Sequence, residues 1–210
     1  MRAAQRAGAP DWSATEFMLG AARVKQFPRD EGFEVAVAGR SNAGKSSALN
    51  AITGRRGLAR VSKTPGRTRE INFFAVDEAR RLVDLPGYGY ARVPEAVKQA
   101  WQRLMAEYFR TRRSLRGAVV VMDCRHPLTD YDQQMLAWCA DGGLPVRVLL
   151  TKADKLSRGG ALAVLHQVQG RIGRAYKGAA SVQLFSALKG EGVEEARELL
   201  AEWLGCKIEG

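Results

Sequence analysis

The residues best equipped for chemistry stand together in Gly39-Arg40-Ser41-Asn42-Ala43-Gly44-Lys45-Ser46, where two glycines bracket four residues and precede a lysine and a hydroxyl. This is the GxxxxGK[ST] pattern of a phosphate-cradling loop. Glycine lets the backbone curl so that successive N–H groups face an oxyanion, and a helix starting there adds its positive end. Lys45 is thereby expected to reach the β- and γ-phosphates of a nucleotide, and the Ser46 hydroxyl to hold Mg²⁺.

Four further segments bear on which nucleotide that is. Asp84-Leu85-Pro86-Gly87 offers a carboxylate to hold Mg²⁺ through water and a Gly87 N–H for the γ-phosphate. Thr151-Lys152-Ala153-Asp154 ends in a carboxylate that can accept hydrogen bonds from guanine N1–H and the 2-amino group. Adenine lacks both donors, so a carboxylate left unpaired against it rejects ATP. Lys152 is expected over the base plane, and Ser186-Ala187 to supply a backbone N–H for guanine O6. Thr64-Pro65-Gly66-Arg67-Thr68 supplies a threonine able to close on Mg²⁺ once the γ-phosphate is present.

These segments need strand ends to hold them. Glu34–Ala38, Ile71–Val76, Arg81–Asp84, Ala118–Met122, Val146–Leu150 and Val182–Phe185 are short, apolar runs with polar or glycine boundaries and read as strands. Gly44–Ile52, Pro94–Arg110, Asp130–Ala140, Gly160–Tyr176 and Val193–Leu204 read as helices. Alternation of the two predicts a mainly parallel sheet with helices on both faces. Ile71–Val76 and Arg81–Asp84 are too closely joined for a helix and predict an antiparallel hairpin. The expected fold is α/β: a three-layer P-loop NTPase sandwich, mostly parallel, with one antiparallel edge strand. Residues 1–14 read as an N-terminal extension and 15–210 as a single domain.

With 33 basic and 22 acidic residues the formal net charge is +11, which predicts a polyanionic partner. The excess is uneven. Residues 54–69 and 155–177 contain no acid, whereas the last thirty residues are net acidic. Three scattered cysteines and His126 and His166 suggest neither a disulfide framework nor a metal cluster, and a reducing cytoplasm fits them best. No leader or membrane-spanning run is expected.

The strings GRSNAGKSS (39–47), SKTPGRTREINFF (62–74), LVDLPGYGYA (82–91), LLTKADKL (149–156) and FSALKGEG (185–192) resemble the EngB (YihA/YsxC) family of bacterial ribosome-associated GTP-binding proteins. That family falls in the translation-factor class, among the TrmE-Era-EngA-YihA-Septin-like GTPases. The resemblance spans residues 15–205 and implies that Gly39–Ser46 binds phosphates and that Ser46 and Thr68 ligate Mg²⁺. It further implies a switch contact by Gly66, Arg67, Thr68, Arg69 and Glu70, a second by Asp84, Leu85, Pro86 and Gly87, and guanine contacts by Thr151, Lys152, Ala153, Asp154, Phe185, Ser186 and Ala187. The Arg69-Glu70 pair departs from a more neutral pair usual in the family. The implied role is in large ribosomal subunit assembly, with a downstream requirement for cell division and septation.

Catalysis is expected to rest on Lys45, Thr68 and Asn42. Tyr88 occupies the position where a water-orienting glutamine often sits, so hydrolysis by the protein alone is expected to be slow, at or below roughly 10⁻⁴ s⁻¹. Asn42 resembles an asparagine by which related GTPases hold K⁺; stabilising the loop turn is the other reading of the same residue. A guanine-nucleotide sensor with incidental hydrolysis is the alternative function. A small-molecule kinase is disfavoured, because Thr151–Asp154 is spent on the base and no arginine-rich lid segment is evident. The expected partners are GTP or GDP and the large subunit's RNA and proteins, with no membrane, and with a monomer as the expected state.

Overall fold

The structure is a computed structural model of the chain and describes residues 8–59, 70–89, 95–176 and 179–206. In chain order the elements are β1 (Glu16–Ala21), β2 (Phe33–Gly39), α1 (Lys45–Thr53), β3 (Ile71–Ala75), β4 (Arg80–Asp84), α2 (Glu95–Thr111), β5 (Leu115–Asp123), α3 (Asp130–Asp141), β6 (Val146–Thr151), α4 (Arg158–Tyr176), β7 (Ala180–Leu184) and α5 (Val193–Trp203). The strands make one sheet in the order β1-β3-β4-β2-β5-β6-β7.

The central strands are apolar almost without interruption because both of their faces are covered. On one side Met105 and Tyr108 of α2, Leu136 of α3 and Ile172 of α4 pack against Phe73, Val120 and Met122. On the other, Leu49 and Ile52 of α1 and Leu200 of α5 pack against Val37, Leu82 and Phe185. Helix, sheet and helix form the three expected layers.

β2 pairs in parallel with β4 and β5, as does β6 with β5 and β7, while β3 runs antiparallel to β4. The register sets Gly39 opposite Val121 and Asp123 opposite Thr151, so the ends of β2, β5 and β6 open on the same edge. Ligands of open α/β sheets bind outside such carboxyl ends. The antiparallel hairpin of β3 and β4 forms as expected. β1, absent from the sequence reading, pairs antiparallel with the far side of β3 and sets it one place in from the edge.

The opposite end of the sheet is tied by a buried charge. Glu34 is fully buried; one carboxylate oxygen accepts from Arg81 Nε at 2.7 Å and from an Arg112 terminal nitrogen at 2.6 Å, and the other accepts from Arg112 Nε at 2.8 Å. Arg112 also donates to the carbonyls of Pro28 and Arg29, which fixes the turn entering β2. Deleting one member of such a group strands the others in a dry interior.

Candidate functional site

The phosphate loop leaves β2 at Gly39, where an added Cβ would lie 2.8 Å from the Val121 carbonyl oxygen of β5. Only a residue without a side chain allows that approach. The chain then turns through Asn42 at φ 63° and Gly44 at φ +100°, a left-handed conformation that favours glycine and leads into α1. The Ala43 N–H donates to the Arg40 carbonyl at 3.0 Å and closes the turn. Its outer side is held by neighbouring strand ends. The Ser41 N–H donates to the Tyr88 carbonyl at 2.9 Å, and the Thr151 hydroxyl lies within reach of the carbonyls of Ala43 and Met122.

Lys45, in the first turn of α1, forms an ion pair with Asp84 at the end of β4. Their side chains are only 12% and 10% exposed, so the pair is largely shielded from water. Both line a cleft of about 1090 Å³ with Arg40, Asn42, Ser46 and Gly87, and the cleft continues past Pro86 to Arg55, Arg56 and Phe17. Leu85 points into the core, while its N–H donates to Val37 and holds the segment after β4 against β2. Tyr88 turns away from the cleft. It is buried, its hydroxyl donates to Asp132 of α3 at 3.0 Å, and burial followed by the Asp132 charge pushes the phenol well above its ordinary range.

The expected base-reading residues meet at the ends of β6 and β7. Asp154 accepts a hydrogen bond from the Ser186 hydroxyl at 2.6 Å, the leading reason its carboxyl lies below the ordinary value. The Ser186 oxygen in turn accepts the Lys189 N–H at 3.2 Å, and Ser186 is fully buried. Phe185 is a core residue: its ring is buried, its carbonyl accepts the Ala153 N–H at 3.3 Å, and its N–H donates to Leu150. Ala187 follows on the exposed side.

Lys152, at φ 60°, reaches back across the strand ends, donating to the Asn42 carbonyl at 2.7 Å and to Asp123 at 2.9 Å. The carboxyl of Asp123 is held well below the usual range, first by hydrogen bonds from Arg125 and then by Lys152, against the opposing effect of burial. Asp123, which the sequence reading did not place in the site, orients the lysine that joins its two halves. The hydroxyl of Ser186 was also missed, because only a backbone N–H had been assigned to that segment. Asp132 was not singled out at all. The signals were an aspartate closing a buried strand and a serine following one.

Gly66, Arg67, Thr68 and Arg69 lie outside the described residues. Glu70 is exposed, its carboxylate against Gly20 of β1, and is not among the residues lining the cleft. Among the described residues no group of three or more His, Cys, Asp or Glu is arranged to hold a metal ion. The three cysteines are buried and free, and among the described residues no helix is long and apolar enough to cross a membrane.

The family described as 50S ribosome-binding GTPase matches residues 34–152, from β2 through the lysine that ties the site together. The probable GTP-binding protein EngB of Shigella flexneri is 53% identical over 193 residues, which cover 92% of this chain and 91% of that protein. The chain belongs to the EngB family of GTPases. The crystal structure of a probable GTP-binding protein engB superposes with a TM-score of 0.65 at 21% identity, covering 81% of this chain and 98% of that one. Translation elongation factor SelB from Methanococcus maripaludis, in complex with the GTP analogue GppNHp, gives a TM-score of 0.60 at 17% identity over 85% of this chain and 35% of its own. These two likenesses establish the shared G-domain fold, and the sequence match to the Shigella EngB extends past Lys152 to take in most of the rest of the chain.

Proposed function

We propose that this EngB-family GTPase is a cytoplasmic, nucleotide-dependent switch that acts on the large ribosomal subunit during its assembly, with a downstream part in cell division and septation. The observation that carries the nucleotide half of this reading is the Lys152 tie. It joins a phosphate loop with an ion-paired lysine to a hydroxyl-oriented carboxylate of the guanine-reading type. The ribosomal half is supported by the description of the matching family and by the net charge of +11.

In this reading Gly39–Ser46 wraps the phosphates and Asp154 reads the base. Lys45 exchanges its partner, leaving Asp84 for the β- and γ-phosphates. The Ser46 hydroxyl and, through water, Asp84 would offer the hard-oxygen donors that Mg²⁺ takes, with few protein ligands and the rest from phosphate and water. Thr68 would complete the set. Bound there, the ion would supply neutralisation of phosphate charge. The remaining work is orientation by the chain itself: loop N–H groups hold the phosphates, and the Gly87 N–H meets the γ-phosphate. Tyr88 is tethered to α3 and leaves no side chain at its position to align water, which supports slow hydrolysis by the protein alone. Asn42 lines the cleft and is our candidate for holding K⁺; turnover faster in K⁺ than in Na⁺ at equal ionic strength is the expected result, and equal rates would remove that role.

Sedimentation with separated ribosomal subunits, with a GTP analogue or GDP bound, tests the whole reading. Co-sedimentation with the large subunit, weakening steeply as salt rises, is expected. Absence from the large subunit in both nucleotide states would overturn it.

A further inference from the structure

Beyond α1 the chain makes the turn Gly54-Arg55-Arg56-Gly57, which opens an acid-free stretch and itself holds none of the residues assigned to the nucleotide. The turn is built rather than loose. The Asn50 side chain grips Ala59 from both sides, accepting its N–H at 2.8 Å and donating to its carbonyl at 3.1 Å. Arg197 of α5 caps the end of α1 by donating to Ile52 at 2.7 Å. Arg55 donates to the Thr15 carbonyl at 2.5 Å and lies 3.8 Å from the exposed carboxylate of Glu16. Arg56 is exposed and has no hydrogen-bond or ion-pair partner among the described residues.

The same cleft is lined by Glu16 and Phe17 at the start of the edge strand β1. Phe17 is 58% exposed, although its ring is steadied edge-on against Phe74 at 5.8 Å. An exposed aromatic packed against one neighbour, lining the same cleft as two arginines on a hydrogen-bonded turn, matches the two elements by which proteins take single-stranded nucleic acid. Guanidinium groups meet phosphates, and an aromatic face stacks an unpaired base. A duplex keeps its bases stacked on each other and offers Phe17 nothing to stack.

Resting on the ribosomal reading above, we propose that Arg55, Arg56 and Phe17 form a docking surface for a single-stranded RNA segment at the outer end of the nucleotide cleft, with Arg56 on a phosphate and Phe17 under a base. Glu16 competes for Arg55 and weakens the contact. The other acid-free stretch, carried mostly on α4 with Arg171, Arg174 and His166 exposed, has no exposed Phe, Tyr or Trp among its described residues and serves as the control surface.

The test uses the full chain loaded with a GTP analogue and a labelled twelve-nucleotide oligouridylate, followed by fluorescence anisotropy over a salt series. Arg56→Ala is expected to weaken binding about tenfold and to flatten the log–log salt slope by about 0.7, the value for one phosphate contact on a single strand. Phe17→Ala is expected to weaken it about tenfold with the slope unchanged, as loss of stacking rather than charge requires. Glu16→Gln is expected to tighten it. Nucleotide affinity measured on each variant verifies that the fold stands, and Arg56→Lys separates lost charge from a disturbed turn by restoring the slope. Failure of the wild type to bind the oligonucleotide, tighter binding of an RNA duplex, or loss on Arg171→Ala and Arg174→Ala but not on Arg56→Ala would each overturn the proposal. If the chain still co-sediments with the large subunit in those cases, the switch reading survives and only this surface is wrong.

Discussion

Asp154→Asn reverses the hydrogen-bonding sense of one edge of the proposed guanine site, and the structure dictates which way the new amide faces. Ser186 Oγ accepts the Lys189 N–H, so its own proton is directed at residue 154. An asparagine there gives its carbonyl oxygen to Ser186 and turns its NH₂ group toward the base. Guanine N1–H can still give its proton to the amide oxygen, which has a second lone pair, but the 2-amino group now meets a donor instead of a carboxylate oxygen. One hydrogen bond to a charged acceptor is lost outright, a cost of about 1.5–3 kcal/mol. At about 1.4 kcal/mol per tenfold, GTP affinity falls roughly 10- to 10²-fold. Xanthosine triphosphate carries a carbonyl at position 2, which accepts from the same NH₂ group, so its affinity should rise. Competition of both nucleotides against a fluorescent GDP measures the two changes together. The double variant Asp154→Asn with Ser186→Ala frees the amide to rotate and should lose part of the gain for xanthosine. Unchanged GTP affinity in the single variant would refute the base-reading role, and a gain that survives in the double variant would refute the orienting role of Ser186.

Tyr88→Phe strands one oxygen of Asp132 while Thr129 keeps the other, at 3.0 Å from its N–H and 2.8 Å from its hydroxyl, so a stability loss of about 1–3 kcal/mol is expected in thermal unfolding. GTP turnover should be unchanged; a fall in kcat at constant Tm would put the phenol in the chemistry. Asp123 has a depressed folded pKa, so its contribution to stability is complete above roughly pH 5 and is lost as pH falls through the folded value. The Tm difference between wild type and Asp123→Asn should therefore be largest near neutrality and close toward about pH 2, and a gap that widens in acid would contradict the sign. Gly117→Ala drives a Cβ to 2.5 Å from the Trp203 ring and should cost about 1–3 kcal/mol by urea unfolding; a neutral result would mean that α5 shifts freely.

The phosphate loop, Asp84 and Asp154 were legible because their chemistry is written in local spacing, and the strands that carry them are continuous apolar runs. β1 was not, since its burial runs from exposed at Glu16, Phe17 and Met18 to buried only at Ala21. An edge strand that turns apolar residues outward has no alternation to read. The ties between Lys152 and Asp123, Tyr88 and Asp132, and Glu34 and Arg112 join residues 29, 44 and 78 positions apart. Each partner taken alone is an ordinary charged or polar residue, and only the packing of strand ends and helices in the finished fold brings the pairs together.

The Lys152 tie also governs how a nucleotide's two ends cooperate. Because Lys152 binds the carbonyl of Asn42 and shares Asp123 with Arg125, the loop proposed for phosphates and the motif proposed for guanine form one rigid frame. A ligand held at one end presents its other end at a fixed distance, so the second contact is intramolecular and benefits from a high effective concentration. Guanosine and inorganic pyrophosphate bound separately forgo that gain. On this proposal the protein's grip on a whole nucleotide depends on a lysine that holds the two half-sites a fixed distance apart.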